Sequence, residues 1–450
     1  MSALEFELNA LPGIGADLLR EITRIYESSV PMPTAVHAIP SVPKVGRGMA
    51  RLPELWALIV DSSSRLASPW MSGHMDTAPH PAAALTQAVV AALNNNLLFR
   101  ELSPFASDIE EHLIAHFTRA LGLGNDWTGL FASGGSIAGL TALFAAVGGY
   151  AGAGEGRDRF RLLMPESAHV SLRKAAIVLG MIERQIQRID CDDAGRLDPA
   201  ALEQSLRQLP GGARPIVVSV LGTTIHGSVD DIAAVAALCA RYGAWHHVDA
   251  IHGGALAYSH HHRHFLSGLD QADSITLGPQ KWMYVPRVSA ICLLRGQQRL
   301  DDALGLPLPY SIGERPHRGR WGLQGSRPAD AVVLWAILQT LGTDALGSII
   351  DRLIGLTTKF HELLTESQTL VPTHKPDLNL QVFRIGKADR SGDRLAAIQE
   401  RLAAAGATWM SISRWRDEVL MRAVLLSPSL TEAHLRQFVR DIEKAADQTA

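Results

Sequence analysis

Between residues 70 and about 335 the chain alternates helical and apolar patterns, and this limits its possible folds more than any other feature. Helix-like runs at 81–94, 107–121 and 137–147 are followed by short apolar stretches at 161–164, 216–220, 247–248 and 290–294. Alternation of this kind builds a mostly parallel sheet covered by helices. One unit shows the logic. Residues 216–220 read as a buried strand, Asp230 or Asp231 caps the next helix, and Ile232, Val235, Leu238, Cys239 and Tyr242 form its inner stripe. Gly243 ends that helix, and the next strand delivers Asp249 at its carboxyl end, the edge where open α/β sheets bind ligands.

The flanks differ from this pattern. Residues 1–70 contain helical stretches near 15–28 and 53–64, separated by a linker spaced by Pro31, Pro33, Pro40 and Pro43, and read as an N-terminal helical arm. Residues 71–338 form the large domain. Residues 339–450 read as a smaller α+β domain with a long helix to Glu366, strands at 380–385 and 419–425, and helices from 393 and at the end. The net charge of −3 supplies no basic field for nucleic acid. Cys191, Cys239 and Cys292 are few and far apart, which argues against a disulfide framework or a zinc site and fits a reducing cytoplasm. The N-terminal residues lack a secretory leader pattern, and no stretch is expected to span a membrane.

Two short segments carry the chemistry. Asp249 ends the strand in His247-Val248-Asp249-Ala250, and Lys281 follows another apolar strand in Pro279-Gln280-Lys281-Trp282. Singly, a strand-end aspartate caps or faces water and a lysine is solvated. As an ordered pair they suit pyridoxal phosphate, whose ring nitrogen is kept protonated by a carboxylate while a lysine anchors its aldehyde. Upstream, Ser133-Gly134-Gly135-Ser136 places a glycine turn at the start of a helix, where free backbone N–H groups and the helix dipole favour a phosphate.

The motifs come in one order: Ser68-Pro69-Trp70-Met71-Ser72-Gly73-His74-Met75, Glu101-Leu102-Ser103-Pro104, Ser133-Gly134-Gly135-Ser136, Ala168-His169-Val170-Ser171, Gly222-Thr223-Thr224, the Asp249 and Lys281 segments, Gln324-Gly325-Ser326-Arg327, and Met421-Arg422-Ala423-Val424. In this the chain resembles the group II pyridoxal phosphate-dependent amino acid decarboxylases, which act on glutamate, aromatic amino acids, cysteine sulfinate or diaminobutyrate. The resemblance implies the aspartate aminotransferase-like fold type I, a homodimer with shared active sites, and α-decarboxylation of an L-amino acid to an amine. It implies that Gly135 and Ser136 cradle the cofactor phosphate, His169 stacks on the ring and approaches the substrate carboxylate, and Thr224 lines the cofactor face. It further implies that Arg422 grips a carboxylate and that Tyr310, on the loop at 304–320, comes from the neighbouring subunit to protonate the carbon left by carbon dioxide.

Several positions depart from the family's usual residues. Gln280 stands where histidine is usual, Gly278 where asparagine or serine is, Ile251 where a ring-facing alanine is, and Ile137 and Gly139 replace Glu and Asn in the cradle helix. Gln280 can donate a hydrogen bond but carries no charge, so a weaker grip on the phosphate is expected. The substrate positions inferred from the resemblance are His74, Met75, Asp76, Thr77, Asn96 and Leu98, a set more polar than an aromatic pocket needs. They favour a small polar or acidic substrate. Arg100 or Arg287 could meet an acidic side chain, and both are equally readable as surface groups. An oxidative deaminase, a carbon–carbon lyase, an aminotransferase or a non-catalytic paralogue are the competing outcomes on this fold. The run of histidines at 260–262 with His264 reads as an exposed segment rather than a metal site.

Overall fold

The computed structural model describes residues 11–33, 36–149, 156–306, 318–386 and 388–449. Tyr310 lies outside the described residues. The chain forms two compact units that are not consecutive in sequence: one gathers residues 1–78, 359–372 and 382–450, the other 79–358 and 373–381. The sequence reading has three consecutive segments bounded at 70 and 338. The contacts instead group the N-terminal segment with the C-terminal one, and the division at 358 falls inside a helix.

In chain order the elements begin with α1 (Leu11–Glu27), α2 (Leu52–Asp61), α3 (Pro81–Leu93) and α4 (Pro104–Ala120). The alternating region follows: β1 (Trp127–Ala132), α5 (Gly135–Ala146), β2 (Phe160–Pro165), α6 (Val170–Val178), β3 (Ile186–Ile189), α7 (Pro199–Arg207), β4 (Arg214–Val220), α8 (Ile232–Tyr242), β5 (Trp245–Ala250), β6 (Ser274–Leu277), β7 (Ala290–Arg295) and α9 (Gln297–Leu304). The long α10 (Asp330–Glu366) leads to β8 (Leu370–Pro372), β9 (Leu380–Ile385), α11 (Asp393–Ala404), β10 (Ser411–Trp415), β11 (Glu418–Val424) and α12 (Glu432–Asp447).

The large unit holds a seven-stranded sheet in the order β1-β7-β6-β5-β4-β2-β3. Only β7 runs antiparallel to its neighbours; the other pairs are parallel. The reason lies in the burial pattern, since a strand covered on both faces reads as a continuous apolar run. Leu162 and Val218 join the core packed against α5, whereas their neighbours Leu163 and Val217 join the core beneath α7 and α8. Each such fully buried side chain stabilises the fold by about 1.5–3 kcal/mol. The α8 unit forms as expected: the Asp231 side chain accepts the Ala234 N–H at 3.0 Å, and Gly243 closes the helix at φ 63°. Asp230 is not the cap. It is buried and accepts the Leu197 and Val220 N–H groups at 2.8 and 2.7 Å, tying the end of β4 to the start of α7.

The smaller sheet has the order β10-β11-β9-β8. In length and composition α10 is apolar enough to cross a membrane, contrary to expectation. Within it Leu334, Ile337, Leu346, Ile350 and Leu353 are fully buried, 33% of its most apolar 18-residue window is buried, and Gly342 at φ 73° breaks its axis. The three cysteines are buried and free; burial raises the Cys239 and Cys292 thiols to about 12. The histidine run is exposed at His260, His261 and His264.

Candidate active site

The carboxyl edge of the parallel strands brings the predicted cofactor residues together within the large unit. At one side β1 ends and Ser133-Gly134 turns the chain into α5. Gly134 sits at φ 90°, in the left-handed region that favours glycine, and its carbonyl accepts the Ile137 and Ala138 N–H groups at 3.1 and 3.0 Å. Gly135 and Ser136 thereby occupy the first turn, whose N–H groups have no intrahelical acceptor. A Cβ on Gly135 would come within 3.2 Å of the Ile251 side chain, so cradle and Ile251 are packed against each other.

Asp249 lies on β5 in register with Val220 of β4 and Thr276 of β6. Its carboxylate accepts the Ile251 N–H at 3.2 Å. Burial raises its pKa, and the Ile251 N–H, His169, the Thr276 hydroxyl and Lys281 each oppose that rise. His169 and Lys281 are therefore near enough to act on the Asp249 carboxylate. His169 caps α6: its Nδ1 meets the Ser171 hydroxyl at 2.7 Å and accepts the Ser171 N–H at 3.2 Å, which leaves the ring proton on Nε2. The ring itself is exposed. Thr224 follows β4 and is half-buried, beyond the tight turn at Gly222 with φ 98°.

Lys281 is half-buried, one turn past β6, where its N–H reaches the Gly278 carbonyl at 3.0 Å. The two departures at 251 and 278 are in contact. A Cβ on Gly278 would lie 2.4 Å from the carbonyl oxygen of residue 251, a backbone contact that requires glycine whatever side chain stands there, and 2.9 Å from the Ile251 Cγ2. Gln280 is buried, and its amide oxygen has no partner among the described residues. Turning that amide over presents its N–H₂ group to an anion.

These features fit pyridoxal phosphate. The first turn of α5 and the Gln280 amide would hold the phosphate, the Asp249 carboxylate would keep the proton on the ring nitrogen, and Lys281 would hold the aldehyde carbon. When bound, the cofactor supplies the electron sink for breaking the bond to a carboxylate. A cationic ring nitrogen also reverses the burial penalty on Asp249.

The predicted substrate residues divide between the two units. In the smaller unit, Arg422 is buried, and its Nη1 donates to the Gly73 carbonyl at 2.9 Å and to Ser411 Oγ at 3.1 Å. Burial lowers the guanidinium to about 10, while Asp76 pulls it back up. His74 is exposed with its ring 4.9 Å from that of Trp409; Met75 is buried, and Asp76 and Thr77 are half-buried. In the large unit, Asn96 spends its amide on the chain itself. Its oxygen accepts the Leu98 and Arg327 N–H groups at 3.0 and 3.2 Å, and its nitrogen donates to Ser326 at 3.1 Å. Leu98 packs against Gly319 and Gly325. Sequence reasoning missed Glu110, buried in a bidentate pair with Arg327, because a glutamate within a helix reads as solvated.

A model of the pyridoxal-dependent decarboxylase conserved domain matches residues 56–386. The chain belongs to that family. The L-2,4-diaminobutyrate decarboxylase of Rhizobium meliloti is 31% identical over 353 residues, covering 76% of this chain and 70% of that one. The aromatic-L-amino-acid decarboxylase of Bacillus atrophaeus is 27% identical over 358 residues, covering 77% and 74%. Among solved structures, mouse CSAD superposes with a TM-score of 0.90 at 21% identity, covering 98% of this chain and 99% of that one. Oryza sativa TDC, solved with PLP and tryptamine, gives 0.90 at 22%, covering 100% and 99%. At these identities the two structures speak for the fold. The protein is a pyridoxal phosphate-dependent amino acid decarboxylase of fold type I, a carboxy-lyase.

Proposed function

We propose that this decarboxylase acts on a small polar or acidic L-amino acid. The observation that carries this is the surroundings of Arg422, a buried guanidinium that shares its part of the smaller unit with Asp76, half-buried Thr77 and exposed His74. A cation stripped of water binds a carboxylate strongly, and apart from the Trp409 ring and buried Met75 the side chains sharing this segment are polar. Asp76 favours one variant of the reading, a side chain ending in an amine, as in the diaminobutyrate decarboxylated by the Rhizobium meliloti relative. Tyr310 returns the proton to the α-carbon, reaching the site from a second copy of the chain. The protein works in the cytoplasm.

Exposed apolar surface supports the homodimer. The 17-residue α1 buries no residue fully. Val36, Ile39, Val42 and Val45 are 75–97% exposed, and they recur every three residues in a proline-spaced segment. On α3, Leu85, Val89 and Leu93 form a second exposed stripe at helical spacing.

The test is kcat/KM across glutamate, aspartate, cysteine sulfinate, 2,4-diaminobutyrate, tyrosine and tryptophan, with product masses. The reading expects one of the first four to lead, with amine as product. Preference for an aromatic substrate overturns it, and an aldehyde or ketone product favours the deaminase or aminotransferase alternatives. Asp76→Asn should selectively weaken a diamino substrate; Tyr310→Phe should suppress amine formation.

A further inference from the structure

Three loops at the carboxyl edge carry cofactor residues: 221–224 with Thr224, 249–253 with Asp249 and Ile251, and 278–282 with Lys281. One buried side chain touches all three. His252 is 4% exposed, and a Cβ on Gly222 would lie 3.1 Å from its ring. The Trp282 indole nitrogen lies 2.9 Å from both ring nitrogens of His252, and Nε2 also lies 2.8 Å from the Asn379 side-chain oxygen. Trp282 and Asn379 are themselves 1% and 0% exposed. Asn379 comes from the strap at 373–381, which belongs to the large unit although it lies far along the chain. Leu378 on that strap packs over Gly222, and Asp377 holds Arg196 through two bonds of 3.0 and 2.8 Å.

The donor inventory gives this chain of bonds a direction. An indole nitrogen only donates and an amide oxygen only accepts. The neutral ring that satisfies both has its proton on Nε2, given to Asn379, and its lone pair on Nδ1, taking the indole N–H. The other tautomer turns a lone pair on Nε2 towards the Asn379 oxygen, and the doubly protonated ring has no acceptor for the Trp282 N–H. Every member is buried, so an unmade bond leaves a polar group without water.

We propose that His252, held in one tautomer by Asn379, is a positioning residue that fixes Lys281 relative to Asp249 through the Trp282 indole. Asp249 is three residues before His252, and Lys281 is one residue before Trp282. The relay therefore joins the turn that holds the ring nitrogen to the turn that holds the aldehyde, and the cofactor must bridge the same two points. The proposal rests on the assignment of Lys281 as the cofactor anchor.

The test uses holoenzyme and the variants His252→Phe, Trp282→Phe, Asn379→Leu and His252→Phe/Trp282→Phe. Three quantities are read: the cofactor dissociation constant, the fraction of bound cofactor fixed to the Lys281 peptide by borohydride, and the unfolding midpoint of the cofactor-free protein. Removing one buried bond at this position should raise the dissociation constant about tenfold and lower the fixed fraction. The double variant should match the weaker of its two parents, because both lose the same bond. Trp282→Phe removes only a donor and keeps the core filled, so it reports even where His252→Phe folds poorly. In Asn379→Leu, selective ¹⁵N-histidine spectra should show Nε2 losing its proton preference. An unchanged fixed fraction with a lowered midpoint assigns these residues to packing alone and overturns the proposal. Additive effects in the double variant also overturn it. Wild-type cofactor that is never fixed to Lys281 refutes instead the anchor assignment on which the proposal stands.

Discussion

Glutamine at position 110 should loosen the cofactor although Glu110 touches none of the cofactor residues. Glu110 Oε1 accepts the Phe131 N–H at 2.8 Å and Arg327 Nη1 at 2.7 Å, and Oε2 takes Nη2 at 3.1 Å. Arg327 returns to the Phe131 carbonyl at 2.9 Å and the Leu97 carbonyl at 3.2 Å. The pair thus clamps β1 two residues before the cradle begins, and both side chains are at most 3% exposed. Glutamine keeps the shape but removes the charge and turns one acceptor into a donor facing the guanidinium. Leaving one member of a buried pair uncompensated costs about 3–5 kcal/mol. The assay is urea unfolding followed both by circular dichroism and by cofactor absorbance. Glu110→Gln should lower the unfolding free energy by that amount and the midpoint with it, with cofactor release shifting earlier than the loss of helix. Adding Arg327→Met removes the stranded charge and should recover a large part of the loss. A change under about 1 kcal/mol, or a double variant weaker than Glu110→Gln alone, refutes the reasoning.

Three further outcomes follow from the geometry. Gly135→Ala should weaken cofactor binding because its Cβ meets Ile251 at 3.2 Å, and Ile251→Ala in the same chain should remove that penalty; titration of cofactor absorbance measures both. Burial raises Asp230 to about 7, above the unfolded value near 3.9, so the folded state holds the proton more tightly. Its contribution to stability is present below about pH 4 and lost as the pH rises towards 7, by of order 3–4 kcal/mol, and Asp230→Asn should flatten that slope in denaturation series across pH. Replacing Leu85, Val89 and Leu93 by glutamate should give monomers by light scattering with much lower activity, if the α3 stripe meets a second copy.

The site was legible where function and local pattern coincide. Asp249 lies at the end of one strand and Lys281 one turn past another, both with apolar runs plain in the sequence, and the glycines at 134 and 135 announce a helix start. Long-range partnerships were not legible. His252 and Asn379 are 127 residues apart, and Glu110 and Arg327 are 217 apart, so no local period connects them. The resemblance placed Asn96 among the substrate positions, and no local pattern announced the loop that its amide closes with the Leu98 and Arg327 N–H groups. The units escaped a linear reading for the same reason: the strap at 373–381 returns to the large unit from within the C-terminal sequence.

The central claim is that Lys281 anchors a cofactor used for α-decarboxylation. Holoenzyme should be incubated with the preferred amino acid, and carbon dioxide and amine counted together for wild type and Lys281→Ala. The account predicts one carbon dioxide per amine from wild type, with both products and the visible cofactor band lost in the variant. Amine or carbon dioxide formed at the wild-type rate by Lys281→Ala, or substrate consumed by wild type without carbon dioxide, would contradict it.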